Sequence, residues 1–336
     1  MMKIKSILAS LVIVVLASGA LSCDRAIYDG EGDCDILIRF EYDYNMKFAD
    51  AFRNEVASVA LYIFDQEGHF LRKVTDEGSR LSERNYSLRV SGFQPGVYDL
   101  VAWCGLGESP SFSVSEPATK EDLICRLSTL TRAETYIDTD MAPVFYGYVE
   151  DAKLQRQYEA DLQTVVIPLC KNTNSIRILL QALNADLPIL PAEYEFTITD
   201  CNASLDWRNN IVNPEPLTYY AWDKRQGTVE YEDGKRLTAA VAEFTVNRLF
   251  VRDTDKTMLR IIDKTTEKTV IHIPLTDFFV MVKGKYNHAM TDQEYLDRQD
   301  EYQITFFLDN DRDWKIAQGI FINGWQIVLS NPDLGR

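Results

Sequence analysis

The chain has 336 residues, enough for two domains of ordinary size, and is acidic, with 51 Asp and Glu against 35 Lys and Arg and a formal net charge of −16. Such a surface repels the phosphates of nucleic acid and anionic headgroups, which excludes a phosphate-reading role and leaves no nucleic-acid partner. A hydrophobic share of 46% with 11% aromatics excludes a disordered chain.

At the amino terminus, Lys3 and Lys5 precede the apolar run Ile7–Ala17, and Ala20-Leu21-Ser22-Cys23 follows. A positive start, an apolar core and small residues before a cysteine are the layout of a bacterial lipoprotein signal peptide over residues 1–22. The run is too short for a comfortable membrane-spanning helix, which needs about 20 apolar residues. Cys23 is therefore the predicted lipidation site, and loss of Lys3 and Lys5 with the signal takes the formal charge from −16 to −18. Ala20 stands where a lipobox carries leucine, so ordinary cleavage after Ala20 and an uncleaved anchor are the alternatives. Residues 23–34 read as a lipidated tether made acidic by Asp24, Asp29, Glu31 and Asp33.

Beyond the tether the pattern has period two, the signature of strands with one buried face. Ile36, Ile38, Phe40, Tyr42 and Tyr44 alternate with polar positions, and Val59–Phe64 meets the turn Asp65–Gly68 and resumes at Phe70-Leu71, a β-hairpin. Tyr86, Leu88 and Val90 alternate next; Gln94-Pro95-Gly96 is a turn signal, and Val97–Trp103 follows as a strand. Residues 105–143 are looser and richer in Ser, Thr, Glu and Pro, after which Val144–Val149 and Thr164–Leu169 close a first sandwich, residues 35–170.

A second sandwich is expected over residues 171–336, divided from the first near Lys171-Asn172-Thr173-Asn174. Its strands are Ser175–Ala182, Tyr194–Thr199, Val241–Phe250, Met258–Ile262, Val270–Ile273 and Tyr302–Leu308. One short helix, about Asp292–Asp300, opens on the capping box Thr291…Glu294. Ile316–Ile322 and Trp325–Leu329 are final strands split by Asn323-Gly324, a hairpin signal. Many short strands at this spacing predict an all-β chain of sandwiches.

Chemistry is sparse. His69, His272 and His288 lie in no H-E-x-x-H or G-x-S-x-G motif, Gly105 and Gly107 make no dinucleotide fingerprint, and there is no P-loop. No catalytic residue, cofactor, metal site or small-molecule substrate is predicted. Asp309-Asn310-Asp311-Arg312-Asp313 opens like a calcium loop but has Trp314 where the sharp turn needs glycine, which favours a solvated hairpin turn. Cys34, Cys104, Cys125, Cys170 and Cys201 include no C-x-x-C pair; buried thiols and a single structural disulfide both fit. In Tyr219-Tyr220-Ala221-Trp222, consecutive strand residues face opposite sides and cannot all be buried in one sheet face. Tyr219, Tyr220 and Trp222 are accordingly the candidate partner surface, and a surface glycan-binding lipoprotein is the alternative function.

Several segments together resemble the FimB-type fimbrial anchor proteins, the minor fimbrillin lipoproteins of Bacteroidales type V pili. They are Cys23 with Ile27-Tyr28-Asp29 and Cys34, Phe40–Met46, Pro95-Gly96-Val97-Tyr98 running into Ala102-Trp103, Lys171–Asn174, Glu294–Arg298, Phe306–Leu308 and Ile322–Trp325. The resemblance implies two tandem transthyretin-like β-sandwich domains, no catalysis, and a surface-exposed lipid anchor in the cell outer membrane. It also implies fimbrial shaft subunits as partners, joined by strand complementation. Shaft subunits of the family lose their first strand after an arginine; an anchor has to keep its own, so Arg39 and Arg53 are expected to be ordinary strand and loop residues. The joint is expected either at a native edge strand of the second domain or through Trp325–Leu329 with the tail Ser330–Arg336.

Overall fold

The computed structural model describes residues 34–107, 110–155, 162–183, 187–230, 236–284, 287, 289–314 and 320–327. The expected signal peptide and the expected lipidation site Cys23 lie outside these residues, as does the tail from residue 328. The all-β expectation is borne out. The chain runs β1 (Cys34–Glu41), β2 (Ser58–Phe64), β3 (Phe70–Glu77), β4 (Leu88–Phe93), β5 (Gly96–Cys104), β6 (Phe112–Val114), β7 (Cys125–Leu127), β8 (Leu130–Thr131) and β9 (Thr135–Ile137). It continues through β10 (Phe145–Leu154), β11 (Gln163–Lys171), β12 (Asn174–Ala182), β13 (Tyr194–Asp200), β14 (Ser204–Leu205), β15 (Leu217–Tyr220), β16 (Asp223–Glu230) and β17 (Arg236–Val246). The last strands are β18 (Met258–Asp263), β19 (Lys268–Pro274), β20 (Glu301–Leu308), β21 (Ile320–Ile322) and β22 (Trp325–Ile327).

Strands of the first half form one seven-stranded sheet in the order β3-β2-β5-β10-β11-β1-β4. The expected hairpin is β2–β3, closed by Gly68 at φ 83° and by the Asp65 N–H donating to the His69 carbonyl. Every residue of β2 is buried. Val59, Leu61 and Ile63 enter the core of this sheet, whereas Ala60, Tyr62 and Phe64 face the other way and join the core of the second half. β5 divides in the same manner, Leu100, Ala102 and Cys104 to one side and Val101 and Trp103 to the other. A strand covered on both faces reads as a continuous apolar run, which is the pattern Val59–Phe64 carries.

The second half packs two six-stranded sheets, β16-β17-β12-β20-β21-β22 and β19-β18-β13-β15-β9-β8, over a shared core. Ile176, Ile178, Phe244, Ile304 and Phe306 come from one sheet, and Phe196, Ile198, Leu259, Ile261 and Ile271 from the other. The segment 105–143, expected to be loose, instead leaves the first sheet and pairs with this half. Cys125 in β7 opposes Leu205 in β14, and Tyr136 and Ile137 in β9 run parallel to Thr218 and Tyr219 in β15. Strands of two or three residues are too brief to show a period, and the partners that tie β7 and β9 to this half lie about 80 positions downstream, so local pattern could not place them. These pairings carry residues 125–137 across the division expected at 170/171.

Two helices escaped the sequence reading: α1 (Phe52–Glu55) and α2 (Leu275–Met281). In α2 the Phe279 ring stacks on Tyr302 at 3.9 Å between centroids, an apolar contact that a seven-residue helix shows only once folded. The expected helix is α3 (Asp292–Arg298), whose Thr291 Oγ1 accepts the Glu294 N–H at 3.0 Å. The Glu294 carboxylate does not reach back to complete the box; it accepts from Arg298 Nε at 2.9 Å. Asn323 at φ 49° and Gly324 at φ 82° give the β21–β22 hairpin the two left-handed residues that an Asn-Gly turn supplies.

Candidate functional site

Three features bear on how this chain connects to anything else: its entry strand, the joint between its halves and its open edges. The entry strand β1 is interior. It pairs parallel with β11 from Ile36↔Gln163 to Glu41↔Pro168 and antiparallel with β4, and Ile36, Ile38 and Phe40 are buried in the core. The first described strand is thus bonded on both sides. Arg39 sits on the outward face against Glu41, and Arg53 lies exposed on α1, a strand residue and a helix residue.

The joint is buried. Asn172, Thr173 and Asn174 are almost fully covered, and the Asn172 and Asn209 side-chain amides bond each other reciprocally at 2.7 and 2.9 Å. Arg248 meets Asp297 of α3 in a two-pronged pair, Nε to Oδ1 at 2.8 Å and Nη2 to Oδ2 at 2.7 Å, while Nη1 donates to the Asn209 carbonyl. Burial opposes the Arg248 charge and the Asp297 bonds outweigh it, leaving its pKa above the ordinary arginine value. Lys171 is held likewise: burial works against its charge, and Asp300 at 2.6 Å with Glu55 at 3.4 Å raises its pKa regardless. On the outer side of α3 the Arg298 guanidinium covers Tyr44 at 4.0 Å and Phe48 at 4.9 Å, bonding the first half to the second.

The edges differ in chemistry. β3, β4, β16 and β19 carry lysine or arginine, the usual protection of a terminal strand against unwanted pairing; β8 and β14 have only two residues, and β6, Phe-Ser-Val, is an uncharged edge of the small sheet β14-β7-β6. β22 reads Trp-Gln-Ile and has no charge. It pairs with β21 alone among the described residues. In the register Ile304↔Ile322↔Trp325, two fully buried core residues are followed by an indole 64% exposed. Directly opposed antiparallel residues share a face, so the core-facing row of this sheet ends in water.

β22 is also the end of a ladder. From β1 the hydrogen bonding passes to β11; β11 runs through buried Asn172-Thr173 into β12; β12 pairs parallel with β20 from Ser175↔Glu301 to Ala182↔Leu308; and β20, β21 and β22 follow in order. Entry strand and uncharged edge are thereby linked by backbone pairing and one covered connection.

Comparison with known proteins assigns this architecture. The family profile of the fimbrillin-A associated anchor proteins Mfa1 and Mfa2 matches residues 31–331. The chain belongs to that family. The minor fimbrium anchoring subunit Mfa2 of Porphyromonas gingivalis is 24% identical over 269 residues, which span 75% of this chain and 80% of that one. A candidate adhesin from Bacteroides thetaiotaomicron, solved by crystallography, is 28% identical with a TM-score of 0.78, covering 89% of this chain and 98% of its own. The solved Mfa2 anchor of P. gingivalis shares the fold at a TM-score of 0.63 and 16% identity, over 88% of this chain and 99% of the other. The resemblance to minor fimbrillin anchors is borne out.

Within this Mfa2-family chain the aromatic cluster is split. Tyr219 is buried, its hydroxyl donating to Asn202 Oδ1 at 2.7 Å, so it belongs to the core and offers no surface. Tyr220 is half-buried with its hydroxyl on Glu134 Oε1 at 2.5 Å, and Trp222 is 40% exposed. The alternation that made the cluster suspicious is satisfied by one residue in and one out. Cys104, Cys125, Cys170 and Cys201 are free; burial pushes the thiols of Cys104, Cys125 and Cys170 up, and Cys104 and Cys125 fill the cores as small apolar residues. In the Asp309–Asp313 turn, Asp309 Oδ1 accepts the N–H groups of Asp311 and Asp313, each at 3.0 Å, and Asp313 pairs with Lys268. That is a self-closed polar hairpin turn, the reading favoured from the missing glycine. No helix among the described residues is long and apolar enough to cross a membrane.

Proposed function

We propose that this Mfa2-family chain is an outer-membrane lipoprotein that anchors and helps assemble a fimbria, held to the membrane through Cys23 and joined to the first shaft subunit by strand complementation at β22. The observation that carries the reading is the uncharged edge of β22, where a core-facing row stops at a solvated Trp325. Backbone groups on such an edge supply affinity to an incoming strand, and an added strand continues the apolar row. The interior placement of β1 fits an anchor that retains its amino terminus, since tension on a lipid would be borne by pairing on both flanks of that strand. The assignment requires no catalytic step. With its halves joined through the buried Asn172–Asn174, the chain would transmit load along the β1-to-β22 ladder.

Deletion of residues 324–336 tests the joint. Fimbriae are expected to detach into the medium while the variant remains folded and membrane-bound; fimbriae still held on cells carrying only the folded variant would remove β22 from the reading. The membrane half is tested by feeding cells a clickable fatty acid. Label is expected on the wild type and none on Cys23→Ala, whereas an unlabelled wild type would show ordinary secretion.

A further inference from the structure

The outward face of the β22 sheet holds a groove of about 580 Å³ that the anchoring reading does not use, lined by Trp222, Arg177, Arg225, Glu243, Gln303 and Asn323 among others. Its floor is a cross-strand row. Arg177 in β12 stands opposite Glu243 in β17 on one side and Gln303 in β20 on the other. Asn323, in the β21–β22 turn, extends the row, because its Oδ1 accepts the Gln303 N–H at 2.8 Å. Glu243 Oε1 accepts from Arg177 Nε at 2.8 Å and from Arg225 Nη2 at 2.6 Å, and Arg225 also pairs with Asp223. At the rim, the Trp222 N–H donates to the Glu243 carbonyl at 3.0 Å, which fixes the backbone of a residue whose side chain is 40% exposed.

We infer that this groove is a binding subsite for a neutral glycan. A sugar ring presents an apolar C–H face and hydroxyls that both donate and accept. Trp222 offers a flat apolar wall for the former, and the row offers guanidinium donors, carboxylate acceptors and amides of both kinds for the latter. Both guanidinium groups are already neutralised by Glu243 and Asp223, and Glu301 adds a further negative charge to the lining, so the groove has no attraction for an anionic ligand. The ion pairs hold Arg177 and Arg225 in place before any ligand arrives, which reduces the ordering cost of binding. Three strands and the adjoining turn, at about 4.8 Å spacing, give the row a span of about 14 Å, which suits an oligosaccharide better than a single ring. Its size falls in the range of ordinary ligand clefts, roughly 300–1,000 Å³.

The experiment is a printed array of neutral and anionic glycans probed with the labelled full-length protein in detergent. Retention of at least one neutral glycan is expected, with apparent affinity about tenfold or more weaker in Trp222→Ala, the loss of one aromatic platform. Gln303→Ala, another exposed position, is expected to weaken the same glycan while the melting curve of each variant matches the wild type. Retention of no neutral glycan, of anionic glycans alone, or of neutral glycans equally by Trp222→Ala would overturn the inference. Fimbrial attachment is expected to be unchanged in Trp222→Ala, so this result and that of the 324–336 deletion fail independently.

Discussion

Replacement of Asp297 by alanine is expected to lower the free energy of unfolding by about 3–5 kcal/mol, the cost of stranding a buried charge when its partner is removed. The stranded group is Arg248, whose side chain is 13% exposed against 7% for Asp297. Two of its three nitrogens lose their acceptors, and Gln293 Nε2, which donates to Asp297 Oδ1 at 3.0 Å, loses one as well. The surface pairs of this chain, Arg39 with Glu41 for example, are more than a third exposed on the arginine side and removal of one is expected to cost less than about 1 kcal/mol. Urea unfolding followed by tryptophan fluorescence separates the two cases. A shift for Asp297→Ala no larger than that for Glu41→Ala would mean that the Arg248–Asp297 pair is wet and does not fasten α3 to the segment after β17.

Gly105→Ala is expected to be equally severe, about 2–5 kcal/mol, for a different reason. Gly105 has φ +85°, and a Cβ there would stand 2.1 Å from the Pro143 carbonyl oxygen, a backbone atom pinned just before β10. Left-handed strain for an L residue is worth about 1–2 kcal/mol, and overpacking against fixed atoms adds about 1–3. The backbone cannot yield easily, because the Gly105 N–H donates to the Ser58 carbonyl at 2.8 Å and so ties the end of β5 to β2. Gly324 is the control: its φ is +82° in an Asn-Gly turn and nothing lies within 4 Å of the added atom, so Gly324→Ala carries the left-handed strain alone. Melting curves are expected to rank Gly105→Ala well below Gly324→Ala; equal curves would show that Pro143 moves aside.

The candidate edge was half legible. Asn323-Gly324 announced a tight hairpin, since that pair accepts two left-handed conformations cheaply, and the strands on either side followed from it. That β22 is a terminal strand lacking protective charge could not be read, because edge status depends on which strands fail to pair and a sequence does not list its neighbours. The Trp222 groove was hidden for a similar reason: Arg177, Glu243, Gln303 and Asn323 are scattered over 147 positions and meet only through register. The aromatic cluster grouped an exposed residue, Trp222, with a buried one, Tyr219, because alternation says that neighbours face opposite ways and is silent on which way is out.

By itself, the sequence determined the strand class, the hairpins at Gly68 and Gly324, the Thr291 cap and the apolar and polar faces of the long strands, all of which are set by side chains within a few residues of one another. The tertiary structure decided that Val59–Phe64 serves two cores, that residues 125–137 pair with strands of the second half, that Asn172–Asn174 is a packed joint and that β22 pairs with β21 alone among the described residues. Those outcomes rest on contacts between residues tens to hundreds of positions apart, chosen by burial of a shared apolar surface, and burial is a property of the assembled fold rather than of any local run of residues.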